Sequence, residues 1–303
     1  MPIRLRPRMW FCAGACLLAL CAAIADAAPT VQKIGPRLYA YVSDNDASSN
    51  STFLVGRDEI LVVDTGLNRE EGLKLLAEIR RISPAPIRYI VNTHYHPDHQ
   101  GGNGVVGPGA VVLSTPFTRD QTMRFLSRRP AAASTPGRSP FAFRPATLTF
   151  SDRVWLYVDG EPVEIYAPGP GHTMGDAVVF FPEERAVATG DLFMDHACPA
   201  MDRGSVSNWI QTLAGMLELP ADHYVPGHFA VGTKQDVRQF HDYLAALWDQ
   251  VQRLYHAGVP LDQVPQRLRL GAFAGFRQFP QFRATFADNA KHAYQELQPP
   301  PRR

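Results

Sequence analysis

The chain has 303 residues, 45% apolar and 19% charged, with 30 Lys and Arg against 29 Asp and Glu. That apolar share supports a sizeable core and excludes wholesale disorder. The near-zero balance of charge, with no long basic run, excludes nucleic-acid binding driven by counterion release.

At the N-terminus Arg4, Arg6 and Arg8 precede an apolar run from Met9 to Ala25, which ends in Ala25-Asp26-Ala27. The run is shorter than the ~20 residues a spanning helix needs and closes on small residues, the pattern of a secretory signal peptide. We therefore expect residues 1–27 to be cleaved, and 28–303 to form one periplasmic or secreted domain with no membrane contact after cleavage. Removing 1–27 takes away three Arg and Asp26 and leaves 27 basic against 28 acidic residues, a formal charge of −1. Cys12, Cys16 and Cys21 leave with it, so Cys198 has no partner for an intramolecular disulfide.

In chain order, Arg37–Val42, Thr52–Val55 and Ile60–Val63 read as an antiparallel opening, with the polar loop Ser43–Ser51 between the first two. Asn68 then caps a helix with Glu71 three residues on. Its apolar face would be Leu73, Leu76, Ile79 and Ile82, and Ser83-Pro84-Ala85-Pro86 stops it. Ile87–Val91 is a buried strand that runs into Asn92–Gly102, where Pro97 and the Gly101-Gly102 pair argue for a loop. Val111–Leu113 reads as a strand and Pro116–Leu126 as a helix. Arg129–Pro145, rich in Pro, Ala, Ser and Gly, reads as an exposed loop, either a lid or a surface insertion. Val154–Val158, Val163–Tyr166, Ala177–Phe181 and Ala186–Thr189 read as strands and Ser207–Leu217 as a helix. Over Gln235–Tyr255 the residues Val237, Phe240, Leu244, Leu247, Val251 and Leu254 share one helical face, which opens a C-terminal helical segment over 233–297.

The strongest chemical signal is His94-X-His96-X-Asp98-His99, four candidate ligands for a divalent metal within six residues. Two more histidines sit in glycine-rich turns, at Gly171-His172-Thr173 and Gly227-His228, and Gly190-Asp191 ends a strand. Taken singly, each of these later elements is an ordinary turn more often than a site.

Taken in order, the four elements resemble the metallo-β-lactamase-fold hydrolases, whose pattern is His-X-His-X-Asp-His, Gly-His, Gly-Asp and Gly-His. The likeness runs from about Val31 to Gly232 and includes Asp64-Thr65-Gly66 and Ser207-Asn208-Trp209-Ile210. It implies a mixed α/β (α+β) fold, a four-layer αβ/βα sandwich in which two facing mixed sheets carry helices outside and the site lies at one edge. Carried over, His94, His96 and His172 would hold one ion, Asp98, His99 and His228 a second, and Asp191 would bridge them, with Asp64-Thr65-Gly66 orienting the ligand loops. Two Zn2+ are the default, with Fe or Mn open. Two such cations lower the pKa of a shared water, and Asp98 would position that nucleophile or pass on its proton.

For substrate, the likeness implies a small molecule with an ester, thioester, lactone or amide-type bond. Exported β-lactamases share the first motif but carry Ser where Asp191 stands, so β-lactam hydrolysis is an alternative; glyoxalase II-type thioesterases, lactonases and nucleases share the bridging Asp. Persulfide-oxidising mononuclear iron enzymes match His94, His96 and Asp191 alone, and a non-catalytic metal-binding module is a third reading. Around these ligands, His196 lines the pocket or is solvated, and Cys198 is a small loop residue, since Asp191 takes the ligand position. Arg203 and Ser205 are candidate anion contacts. His223, His241, His256 and His292 are expected to be structural or exposed.

Overall fold

The computed structural model describes residues 28–128, 141–195, 197, 200, 201, 203–278 and 280–299. Twelve strands among them form two sheets. The first holds β1 (Thr30–Lys33), β2 (Leu38–Val42), β3 (Ser51–Val55), β4 (Ile60–Val63), β5 (Ile87–Val91), β6 (Val111–Ser114) and β7 (Leu148–Thr149), in that spatial order. It is antiparallel from β1 to β4 and parallel from β4 to β7. The second holds β8 (Arg153–Val158), β9 (Glu161–Tyr166), β10 (Val178–Phe181), β11 (Ala186–Gly190) and β12 (His223–Pro226), with only β11 and β12 parallel.

Side-chain alternation along these strands builds the layers. Leu54, Leu61, Val63, Val91 and Leu113 face Val163, Ile165, Val179, Phe181 and Val225 in a buried layer between the sheets. Their neighbours Phe53, Ile60, Val62, Ile90 and Val112 turn outward onto α1 (Arg69–Ile82). On the other flank Val178, Phe180, Val187 and Tyr224 pack against α5 (Val206–Glu218), α6 (Lys234–His256) and α8 (Pro280–Glu296). Strands buried on both faces lose polar alternation, which is why they read as short apolar runs. The result is the αβ/βα sandwich.

The structure corrects three local expectations. Helix α1 starts at Asn68, whose Oδ1 accepts from the backbone N–H of Glu70 and Glu71, but its buried face is Gly72, Leu75 and Ile79, while Leu73 and Ile82 are exposed. The helix is turned so that Gly72 meets Gly102, where an added Cβ would come within 2.8 Å of Cα. Second, the segment after β5 is not irregular. It folds into two short helical turns, α2 (Pro97–Gln100) and α3 (Asn103–Val106), because Pro97 sits at the first helical position, where its missing N–H costs nothing. The Gly101-Gly102 pair serves close approach, since Cβ atoms there would collide with the carbonyls of Leu67 and Thr65. Third, the end of the expected exposed loop is pinned. Ala142 exchanges backbone bonds with Gly101 and Gly104, and Arg144 donates to the carbonyls of Gly107 and Ala110. Residues 129–140 lie outside the described residues.

The helix read at Pro116–Leu126 is α4 (Pro116–Ser127), capped by Thr115. In α6 the residues Val237, Phe240, Leu244, Leu247 and Val251 are buried as the periodicity predicts. A turn of helix, α7 (Val264–Arg267), joins α6 to α8. Glu296 of α8 reaches back to accept from the Val206 N–H at the start of α5, 2.7 Å away. Among the described residues no helix is long and apolar enough to cross a membrane.

Candidate metal centre

The carboxyl ends of the parallel pairs β4–β5 and β11–β12 meet at one edge of the sandwich, where chain leaving a strand is free to turn over the edge. His94, His96, Asp98 and His99 follow β5, Asp191 follows β11 and His228 follows β12; His172 comes from the β9–β10 connection. Potential ligand atoms of His94, His96, His172 and Asp191 lie within 4.8 Å of one another, as do those of Asp98, His99 and His228. The structure thus gathers all seven sequence-derived candidates into two adjoining groups.

In the first group His94 Nε2 and His172 Nε2 lie 3.0 and 3.1 Å from His96 Nδ1. Asp191 Oδ2 is 3.5 Å from His172 Nε2 and 4.0 Å from His94 Nε2. In the second, Asp98 Oδ2 is 3.1 Å from His228 Nε2 and 3.4 Å from His99 Nε2. The other oxygen of Asp191, Oδ1, is 3.2 Å from His99 Nε2 and 3.7 Å from His228 Nε2. Asp191 therefore turns one carboxylate oxygen to each group. Two atoms each ~2.0–2.1 Å from one zinc at tetrahedral angles stand about 3.3–3.4 Å apart, and the separations here bracket that value. His99 Nε2 and Asp191 Oδ1 are buried without a hydrogen-bond partner among the described residues, as donors reserved for an ion would be. The residues fit a divalent cation in each group.

A second tier of buried polar groups aims these ligands. Asp64 Oδ2 lies 2.7 Å from His99 Nδ1 and accepts from Thr93 Oγ1, which in turn sits 3.1 Å from His94 Nδ1. Asp64 holds a left-handed backbone, φ 55°, at a position where most side chains are strained. Thr65, Asn92 and Asn103 form a buried amide–hydroxyl cluster that also receives the His99 carbonyl. Asp176 accepts from the N–H groups of Gly171 and Thr173 and so shapes the His172 turn; burial pushes its carboxyl up to about 7 against those bonds. Trp209, fully buried, donates to the Leu192 carbonyl and stands edge-on to the His172 ring. Gly227 has no room for a side chain, because its Cβ would fall 1.9 Å from Asp191 Oδ1.

The two groups differ in charge. Burial, reinforced for His94 by His99 and His96, holds the His94 imidazole well below its usual pKa and pushes His172 down to about 3; His96 is lowered as well. For His99, burial is overcome by the Asp191, Asp64 and Asp98 carboxylates, which raise it well above the usual value, and His228 is raised through Asp191 and Asp98. Asp191 and Asp98 resist burial and stay low beside His99 and His228.

The sequence profile of the metallo-beta-lactamase superfamily matches residues 44–228, more than half of the chain. The chain belongs to the metallo-β-lactamase superfamily. It is 28% identical over 196 residues to the 2,4-dinitroanisole O-demethylase subunit alpha of a Nocardioides species, covering 64% of this chain and 53% of that protein. It is 25% identical over 284 residues to a linear primary-alkylsulfatase of a Pseudomonas species, covering 78% and 53%. The chain thus spans about half the length of these curated relatives. Among solved structures, the sec-alkylsulfatase Pisa1 from Pseudomonas covers 89% of this chain and 50% of its own at a TM-score of 0.69 and 16% identity. A metallo-beta-lactamase from Pontibacter korlensis covers 72% and 99% at 0.57 and 22%. Both show the metallo-β-lactamase fold.

Outside the superfamily motifs the sequence reading is uneven. The Ser205 hydroxyl caps α5, accepting from Asn208 N–H, and is committed to Glu296, donating to its Oε1 at 2.7 Å. Arg203 lines a groove described below. His292 Nε2 lies 3.0 Å from the Gly204 carbonyl, and His241 pairs with Asp242. His196 and Cys198 lie outside the described residues. Asn50 was missed altogether; its Nδ2 donates to the carbonyls of Pro226 and Phe229 and brackets His228. Its only sequence signal was an Asn inside a polar loop.

Proposed function

We propose that this chain is a metal-dependent hydrolase with two divalent ions, zinc by its imidazole-rich ligand set, that cleaves an ester, thioester, lactone or amide-type bond. The observation that carries this reading is Asp191, whose two oxygens face separate ligand groups. His94, His96 and His172 would hold one ion, Asp98, His99 and His228 the other. When bound, the ions would supply Lewis acidity and a nucleophile available at neutral pH. The chain's own residues do the rest. Buried His94 and His99 exclude water from the floor, and Asp64 and Asp176 fix ring orientation. Asp98 has a side chain 23% exposed against 6% for Asp191, so of the two carboxylates, both kept ionised beside His99 and His228, it is the one substrate could reach and that could orient or receive a proton.

The N-terminal Arg4–Ala27 pattern supports export to the periplasm, where the substrate would be an exogenous or envelope-derived small molecule. The decisive experiment pairs metal analysis with hydrolysis of a chromogenic cephalosporin, a lactone, a phosphodiester and an alkyl sulfate, with and without chelator. About two zinc per chain with chelator-sensitive turnover is expected, and His96→Ala is expected to lose turnover while keeping the fold. A single iron with no hydrolysis would overturn the reading.

A further inference from the structure

Beside the metal centre lies a groove of about 390 Å³. One wall is a single stripe of α4, in which Gln121, Arg124 and Phe125 follow helical spacing and Arg128 continues it at the C-cap. Tyr95 and Pro97 form its inner end and Arg203 its far side. All three arginines are exposed, none makes an ion pair among the described residues, and no carboxylate is among the described residues that line the groove. Like charges at i,i+4 destabilise a helix by tenths of a kcal/mol. Attraction to the carboxyl end of α4 accounts for Arg124 and Arg128 but not for Arg203, which arrives from another loop. Arg203 also holds a left-handed backbone, φ 60°, a conformation that favours glycine.

The groove is built onto the centre. Tyr95 and Pro97 flank His96, and the Tyr95 ring stands 4.8 Å from the His96 ring. Gly204, next to Arg203, packs so tightly on Gly171 and His172 that a Cβ would fall 1.7 Å from the Gly171 carbonyl oxygen. Thr122 of α4 donates to Gln100 Oε1, and Thr115 and Thr118 both donate to the Gly175 carbonyl. The backbone that carries the arginines thus keeps a fixed place relative to both the first motif and the His172 turn.

We infer that this groove is an anion subsite, in which Arg124, Arg128 and Arg203 seat a carboxylate, sulfate or phosphate of the substrate while Tyr95 and Phe125 cover its apolar body. The assignment rests on the hydrolase reading for its purpose and narrows the substrate class to molecules with a negative charge beside the bond presented to the His/Asp centre. Guanidinium forks match such oxyanions, and the rings take hydrocarbon that water rejects.

The test uses chelator-stripped protein, so that binding is read without turnover. Hexanoate, hexyl sulfate and uncharged hexanol are titrated calorimetrically at low ionic strength. At least one anion is expected to bind about tenfold or more tightly than hexanol, and which one names the head group. Arg124→Gln and Arg203→Gln, both surface changes, are each expected to weaken the anion about three- to tenfold, and the double variant to bring it to the level of hexanol. Equal binding of hexanol, no saturable anion binding, or undiminished affinity in the double variant would each overturn the subsite. Metal content decides the hydrolase reading separately: a chain that takes up no metal yet binds hexanoate through these arginines loses that reading and keeps this one.

Discussion

The two ligand groups of the centre are built from opposite electrostatics. His94, His96 and His172 are neutral imidazoles held so by burial, with lone pairs ready for a cation. His99 and His228 stand among Asp98, Asp191 and Asp64, which favour the imidazolium instead. The first group would take an ion without releasing protons, whereas the second would have to give up protons to take one. The surroundings thus set the two groups apart in charge, although both are largely histidine.

The largest effect that would break this contrast is expected from Asp191→Ser. The variant loses the oxygen shared by both groups, so metal content falls by about one ion per chain, from the second group, and turnover by about 10²–10³-fold. Two tightly held ions in that variant would refute the bridge. A pH series sharpens the contrast. The raised His99 and His228 bind protons more tightly, so affinity in the second group would fall about tenfold per pH unit for each imidazolium that must lose its proton, about a hundredfold per unit below both raised values, while the first group would keep its ion to lower pH. Metal content after dialysis at pH 8 and pH 5.5 checks the order. In the metal-free protein the sign of stability follows. The His99 contribution is present below its ordinary ~6.5 and lost as pH rises through its raised value, and the lowered His94 and His172 oppose folding as pH falls below ~6.5.

Next in size, Asp64→Asn and Asp176→Asn are each expected to weaken metal about 10–100-fold. Competition with a chromophoric chelator separates them: Asp176→Asn affects only the first group, through the His172 turn, while Asp64→Asn affects the second most, through His99. The smallest effect is expected from Ser205→Ala. Loss of this cap costs about 1 kcal/mol by denaturant unfolding and leaves metal affinity unchanged, since Ser205 steadies α5 rather than a ligand.

The gathering of the seven candidate ligands was legible because metal chemistry draws on few residue types and the first motif packs four of them within six positions. Most strands were legible because burial on both faces removes polar residues, whereas the short β1, β7 and β12 were not read. Of the groups that aim the ligands, only Asp64-Thr65-Gly66 was legible, through the family resemblance. Asn50, Asn92, Asn103 and Asp176 act through hydrogen bonds to backbone that is distant or in a tight turn, and an isolated polar residue carries no period. The α1 face was misread because its deciding contact is the close approach of Gly72 to Gly102, and glycine leaves no hydrophobic mark. The pairing of Ser205 with Glu296 joins residues far apart in sequence, which spacing cannot show.

Four candidate ligands of the centre come from the first sheet's side and three from the second's, so an ion held there would act as a cross-link between the halves of the sandwich. By mass action such a cross-link adds RT ln(1 + [ion]/Kd), ~4.1 kcal/mol when free ion stands a thousandfold above Kd. Survival of the protein against unfolding and proteolysis then tracks the free-metal level of its compartment. On the hydrolase reading, metal starvation would remove the protein as well as silence it.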